Sequence, residues 1–227
     1  YYPDARRYGR RKLLRTRKNL VGIRTRCGNQ IRSLLHAYGI TPPPGALYRR
    51  PMLEWLKEVP LPTAEMREVV QSMAAVLTTT EDQIKRLDAR IEHLAATGIA
   101  AQLQEIRQIG ALTALTVAEE MGEMDRFRNP RASAGYAGLV PRVNQSAECT
   151  RTGRLTRRGS PQLRHVLGQM AVRLLAKDRM VQRWAAPRLK RASKNKVRTA
   201  LARRLLVGLV ASQRHGDAFD LRRCLNL

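Results

Sequence analysis

The residues best suited to chemistry in this 227-residue chain crowd into one stretch, NQSAECTRTGRLTRRGSPQLR, at positions 144–164. Ser146 stands there among Arg151, Arg154, Arg157, Arg158 and Arg164, with Arg142 just ahead and Glu148 the single acid. A serine that attacks a phosphodiester must lose its proton, and the charge gathering on the transition-state oxygens must be neutralised. Arginine suits the second task because its planar fork sets two donors against two phosphate oxygens. The same composition also makes a phosphate-binding loop with no chemistry. From the residues alone, that simpler reading is favoured.

Other chemistries find less support. Metal-assisted phosphoryl transfer needs clustered carboxylates. Glu119, Glu120, Glu123 and Asp125 are neighbours in sequence, but they fall at a helix end and read as a solvated face. His36, His93, His165 and His215 lack serine or aspartate company at a recognisable spacing, and neither GxSxG nor GxxxxGK[ST] occurs. Cys27, Cys149 and Cys224 lie far apart without a CxxC, which points to small apolar fillers and a reducing cytoplasm rather than zinc or disulfides.

The elements that must position the arginine-rich stretch read as helices. Residues 10–38 contain no proline and carry two apolar rows seven apart: Leu13, Leu20, Cys27, Leu34, and Leu14, Val21, Gly28, Leu35. Residues 39–63 form a proline-rich connection, broken by Pro42–Pro44, with one short helix around Met52 to Lys57. From Ala64 to Ala96, apolar residues alternate steps of four and three from Met66 to Leu94, with Thr80 the polar exception. That is a coiled-coil seam whose partner is the first helix folding back, another subunit, or both.

Residues 99–125 read as two short helices broken near Gly110 and closing at Gly122, similar to half of a helix-hairpin-helix. Beyond the basic stretch, Ser160 and Pro161 start a helix, and Gly216 stops the last long one. Nothing reads as extended sheet. The expected fold is mainly α: a long antiparallel or coiled-coil arm over 1–98, then a compact helical domain over 99–227.

Charge sharpens the functional reading. The net charge is +25, distributed as +12 over residues 1–53, −4 over 54–148 and +17 over 149–227. Two cationic regions around a mildly acidic spacer imply two nucleic-acid contact surfaces. No apolar run is long enough for a membrane span, and the basic helices carry few of the Trp and Phe residues that surface-lying membrane helices bury. The start, YYPDARRYGRRK, has no methionine and no secretory core, so an upstream portion is expected.

FRNPRASAGYAGLVPRVNQSAECTRTGRLTRRGSPQLRHVLGQMAVRLL resembles the carboxy-terminal domain of bacterial insertion-sequence transposases of the "one-ten" type, relatives of the Piv invertase and bridge-RNA-guided recombinases. The resemblance is carried by Phe127, the GL-P of Gly138 to Pro141, the Gln145–Ser146 pair, and the run from Gly153 to Gly159. KVRTALARRLLVGL is similar to the family's closing helix, matching at Lys196 and Arg204, and LLRTRKNLVGIRTRCGNQIRSLLHAYGI resembles the helix leading into its coiled-coil arm.

The resemblance implies DNA cutting and rejoining, with Ser146 as the nucleophile that becomes covalently linked to DNA. Arg142, Arg151, Arg154, Arg157, Arg158, Arg164, Lys196 and Arg204 are the implied phosphate-binding set. It also implies an assembly of subunits, a structured guide RNA, and a bacterial cytoplasm in contact with the nucleoid. Magnesium is implied for the family's amino-terminal RuvC-like domain, whose DEDD carboxylates this chain lacks, so no cofactor is expected here. Ala147 stands where the family pattern has glycine, and Gln108 replaces the first glycine of its two-glycine hairpin. The competing reading is a non-catalytic, dimerising nucleic-acid-binding fragment. A basic ribosome-associated helical protein explains the charge but not the GLVPRVNQS block.

Overall fold

In the computed structural model, the described residues are 3–146, 149–156 and 158–226, with the backbone path alone for 143–146, 149–152 and 154. They form ten α-helices and one antiparallel hairpin, so the chain is mainly helical. Two compact units emerge: Lys12–Ile91, and Tyr1–Arg11 together with Glu92–Leu227.

The first unit is built on helix periodicity. Helix α1, Ala5–Ala37, buries Leu14, Gly28 and Leu35 of its heptad row. Helix α3, Ala64–Ala95, buries Val70, Leu77, Ile84 and Ile91 at strict sevens, with Thr80 the buried polar residue among them. Arg17 pairs with Asp88 at 2.8 Å and Arg24 with Glu81 at 2.5 Å. A step of seven forward on α1 thus meets seven backward on α3, which defines an antiparallel pair. Helix α2, Arg50–Glu58, begins with Pro51 in its first turn and adds Met52 and Leu56 to a core holding Ile31, Leu35, Leu47 and Val70. The Arg24 guanidinium also lies over the Tyr48 ring, 4.0 Å from its centroid.

The second unit is organised around helix α5, Ala111–Met121, which is buried on nearly every side, as a helix apolar all round must be. Helix α4, Gly98–Gln104, and helix α7, Pro161–Lys177, pack against it. Helix α9, Lys194–His215, packs on α7, and α8, Arg179–Leu189, and α10, Leu221–Leu225, flank α9. Buried Leu163, Leu167 and Leu174 of α7 and Leu201, Leu205 and Leu206 of α9 form much of the core. The Ser160 hydroxyl caps α7 by accepting from Leu163 N–H at 3.2 Å, with Pro161 following. Gly216 ends α9 in the left-handed region, φ +72°. Helix α8 carries Pro187 inside it, a residue that masks helical periodicity in the sequence. Among the described residues, no helix is long and apolar enough to cross a membrane.

Two expectations are corrected. Glu119 and Glu120 are buried rather than solvated, at 5% and 2% exposure, while Glu123 and Asp125 are exposed. The first turns of α1 explain this. Arg10 donates to Glu119 Oε1 at 2.8 Å, and the buried Arg11 donates to the main-chain carbonyls of Glu119 and Glu120 at 2.8 and 3.0 Å. Tyr136 Oη donates to the Glu120 carbonyl at 3.1 Å and Arg126 to that of Met121 at 3.0 Å. These donors satisfy the open carbonyls at the C-terminus of α5, where cations are also favoured by the helix dipole.

The second correction concerns extended structure. Two strands pair as an antiparallel hairpin: β1, Pro141–Ser146, and β2, Cys149–Leu155. The sequence hides it because charged and glycine residues interrupt the β-prone Val143, Thr150 and Thr152, and no Asn-Gly or Asp-Gly marks the turn.

Candidate active site

The hairpin grows from a rigid base. Helix α6, Ala132–Tyr136, and the turn after it place Leu139 in the core, and Thr156 N–H donates back to the Val140 carbonyl at 2.9 Å. The Arg126 guanidinium lies 4.2 Å from the Phe127 ring centroid and 4.3 Å from that of Tyr136. The two rings meet edge-on at 5.6 Å. On the far side, Ser160 Oγ donates to Glu120 Oε2 at 2.8 Å, which ties the start of α7 to the end of α5.

Gly159 has a structural reason to be glycine. Its φ is +107°, and a Cβ there would stand 2.0 Å from the Tyr136 carbonyl oxygen. Both ends of the hairpin are therefore fixed within a few residues of the strands.

The register places the expected site residues. Pro141 faces Leu155 at the base, and Ser146 faces Cys149 at the other end of the ladder. Between Pro141 and Val143, β2 carries two residues, Gly153 and Arg154, against Arg142 alone. That is a bulge, a device that bends a strand and re-aims its residues. By register, Asn144 and Ser146 share a face with Arg151 and Cys149, and Val143 and Gln145 share the other with Thr152 and Thr150.

Arg142 and Arg158 are exposed. Arg164 is half-buried and donates to the Ala137 carbonyl at 3.2 Å. Arg204 is half-buried and its Nε donates to the Cys224 carbonyl, while Lys196 is exposed on α9. Arg157 lies outside the described residues, as do the side chains of Ser146, Arg151 and Arg154.

A groove of about 960 Å³ opens at the base of the hairpin, with Pro141, Gly153 and Leu155 forming part of its wall. Trp184 and Arg188 of α8, Lys196, Arg203 and Val207 of α9, and Arg223 of α10 also line it. Arg131 and Arg204 bring its cations to six, and no carboxylate is among its described lining residues. The sequence reading missed Arg131, Arg188, Arg203 and Arg223. The signal for Arg203 was present: Lys196, Ala200, Arg203 and Val207 recur at four, three and four residues, one face of α9.

Cys224 also lines the groove. Burial pushes its thiol up to about 11, which keeps it protonated and unsuited to nucleophilic attack at neutral pH.

Glu119 is paired with arginines and Glu120 accepts from Ser160. Among the described residues, no three carboxylate, imidazole or thiol groups gather to hold a metal ion.

Residues 100–186, from α4 through the hairpin into α8, match the model of the transposase IS116/IS110/IS902 family. Residues 100–186 carry a transposase domain of the IS116/IS110/IS902 family. The chain is 33% identical to a probable family 20 transposase of Pseudomonas aeruginosa over 83% of this chain and 58% of that one. It is 29% identical to the transposase for insertion sequence element IS1111A of Coxiella burnetii, over 84% of this chain and 54% of the relative. It is 28% identical to the transposase for IS1328 of Yersinia enterocolitica, over 85% and 59%. The chain thus spans somewhat more than half the length of these curated relatives.

Proposed function

We propose that the chain is the serine-bearing part of a DNA transposase, and that Ser146 is its nucleophile. The observation that carries the reading is the position of Ser146: the last paired residue of a hairpin inside the segment matched by the transposase family. The register supports a role for arginine beside it. By register, Arg151 lies diagonal to Ser146 across the ladder, about 7–8 Å away between backbones.

In the reaction, Ser146 Oγ forms a bond to a backbone phosphorus and the bond from phosphorus to one deoxyribose oxygen breaks. The serine proton is taken up and the departing sugar hydroxyl is protonated, so the phosphodiester is exchanged for a phosphoserine diester without net hydrolysis. Attack by a sugar hydroxyl of another strand reverses the exchange and rejoins DNA. Arg142, Arg151, Arg154, Arg157 and Arg158 hold the phosphate and offset its charge, with Arg164, Lys196 and Arg204 nearer the body of the unit. Subunits pair through the α1–α3 arm, a structured RNA lies on its basic surface, and the protein works in the bacterial cytoplasm on nucleoid DNA.

The test is phosphoserine trapping on nicked insertion-sequence ends, with this chain mixed with a full-length relative. A covalent DNA adduct on Ser146 is expected, lost in Ser146→Ala. Strand exchange by Ser146→Ala at the level of the parent removes the serine from the mechanism. Unchanged DNA binding with no adduct in either protein favours a binding fragment.

A further inference from the structure

We propose that the groove at the hairpin base seats a single unpaired nucleotide, its base in the groove and its flanking phosphates on the cationic rim. The inference rests on the nucleic-acid reading above and names a subsite that the serine chemistry does not require. Phosphate contacts alone need charge and an open surface. This groove offers something else: an apolar lining that includes Leu139, Pro141, Leu155, Val207 and Ala211. Apolar walls of that kind suit the face of a base drawn out of a helix.

Three observations narrow the occupant. The first is charge: six cations and no carboxylate are among the described lining residues, and Arg131, Lys196 and Arg203 are exposed and engage no described side chain. A neutral peptide would leave that charge unmatched, whereas a nucleotide brings one phosphate on each side of its base.

The second is a stacked pair in the lining. Trp184 lines the groove at 3% exposure. The exposed Arg188 guanidinium lies over the same indole, 4.2 Å from the ring centroid, where it offers a plane for stacking.

The third is size and place. At about 960 Å³, the groove lies at the upper end of small-molecule pockets (about 300–1,000 Å³), which leaves room for a base with its sugar. Its lining includes Pro141 and Leu155, the pair at the base of the ladder that ends in Ser146. Five residues at about 3.3 Å each put the groove and the serine about 16 Å apart along one strand, within the reach of one polynucleotide segment.

The experiment measures binding of the 227-residue chain to a paired duplex and to the same duplex with one extrahelical 2-aminopurine, made as DNA and as RNA. We expect the bulged form to bind roughly tenfold more tightly, with a change in 2-aminopurine fluorescence, and the backbone giving the larger response identifies the strand. The exposed groove residue Ala200 offers a filling variant, Ala200→Trp, expected to bring the bulged-to-paired ratio close to one. Arg188→Ala is a second route to the same loss, and circular dichroism melting checks that each variant folds.

Equal affinity for bulged and paired duplex overturns the pocket and leaves nucleic-acid binding standing. A ratio untouched in a folded variant of either kind overturns it too. Failure to bind any of the four ligands overturns the nucleic-acid reading itself.

Discussion

At the scale of single residues, the strongest local constraint belongs to Gly159, where β2 hands over to α7. Gly159→Ala forces a Cβ against the Tyr136 carbonyl at a backbone conformation that only glycine adopts readily. A loss of about 2–4 kcal/mol in urea unfolding is expected, together with loss of whatever function the hairpin serves. Cys224 gives a chemical counterpart. Its thiol is raised to about 11 by burial, mainly desolvation, with Asp220 adding to the shift and Arg204 opposing it. Because the folded state favours the protonated thiol, this contribution to stability is present below the ordinary thiol range near 9 and declines as pH rises from there through about 11. Iodoacetamide at pH 8 should modify half-buried Cys27 well before Cys224, whose thiolate is roughly 100-fold scarcer than that of an unperturbed thiol. Equal labelling rates in the folded chain would refute the burial argument.

At the scale of elements, one helix end anchors several others. The C-terminal carbonyls of α5 accept from Arg11, Tyr136 and Arg126, so the start of α1, the hairpin approach and α5 share one set of hydrogen bonds. Arg11→Ala removes donors to two carbonyls and should destabilise this unit by about 2–3 kcal/mol. Arg6→Ala, an exposed neighbour on the same helix, should change little. The comparison by thermal melting separates the hydrogen bonds from a general effect of charge. A smaller version of the same logic governs α9 and α10, where a Cβ on Gly208 would stand 2.8 Å from Cys224 Sγ. Glycine there allows the last helix to lie close.

At the scale of the whole molecule, charge is the governing property. The +25 chain concentrates its excess in residues 1–53 and 149–227, and the cations of the groove come mostly from the second region. If the chain covers six or more phosphates, its affinity for duplex DNA should fall by about 10³ or more between 50 and 200 mM salt, through counterion release. A filter-binding or anisotropy titration gives the slope directly. A shallow slope would mean that the basic residues face solvent rather than a polynucleotide.

Much was legible in the sequence because it follows from short-range periodicity. The sevens of Leu14 to Leu35 and Val70 to Ile91, the cap at Ser160 and Pro161, and the stop at Gly216 depend on neighbours a few residues away. The quoted blocks around Gln145–Ser146 likewise carried the transposase resemblance before any coordinates. The pairing of Glu119 with Arg10 could not be read that way, since the partners stand 109 positions apart. Nor could the hairpin, whose mixed residues become strands only when one backbone bonds to another. The groove is the clearest case: Leu139, Trp184, Lys196 and Arg223 come from separate segments and meet only when α8, α9 and α10 pack beside the strands. Periodicity and charge are properties of the chain, but convergence is a property of packing.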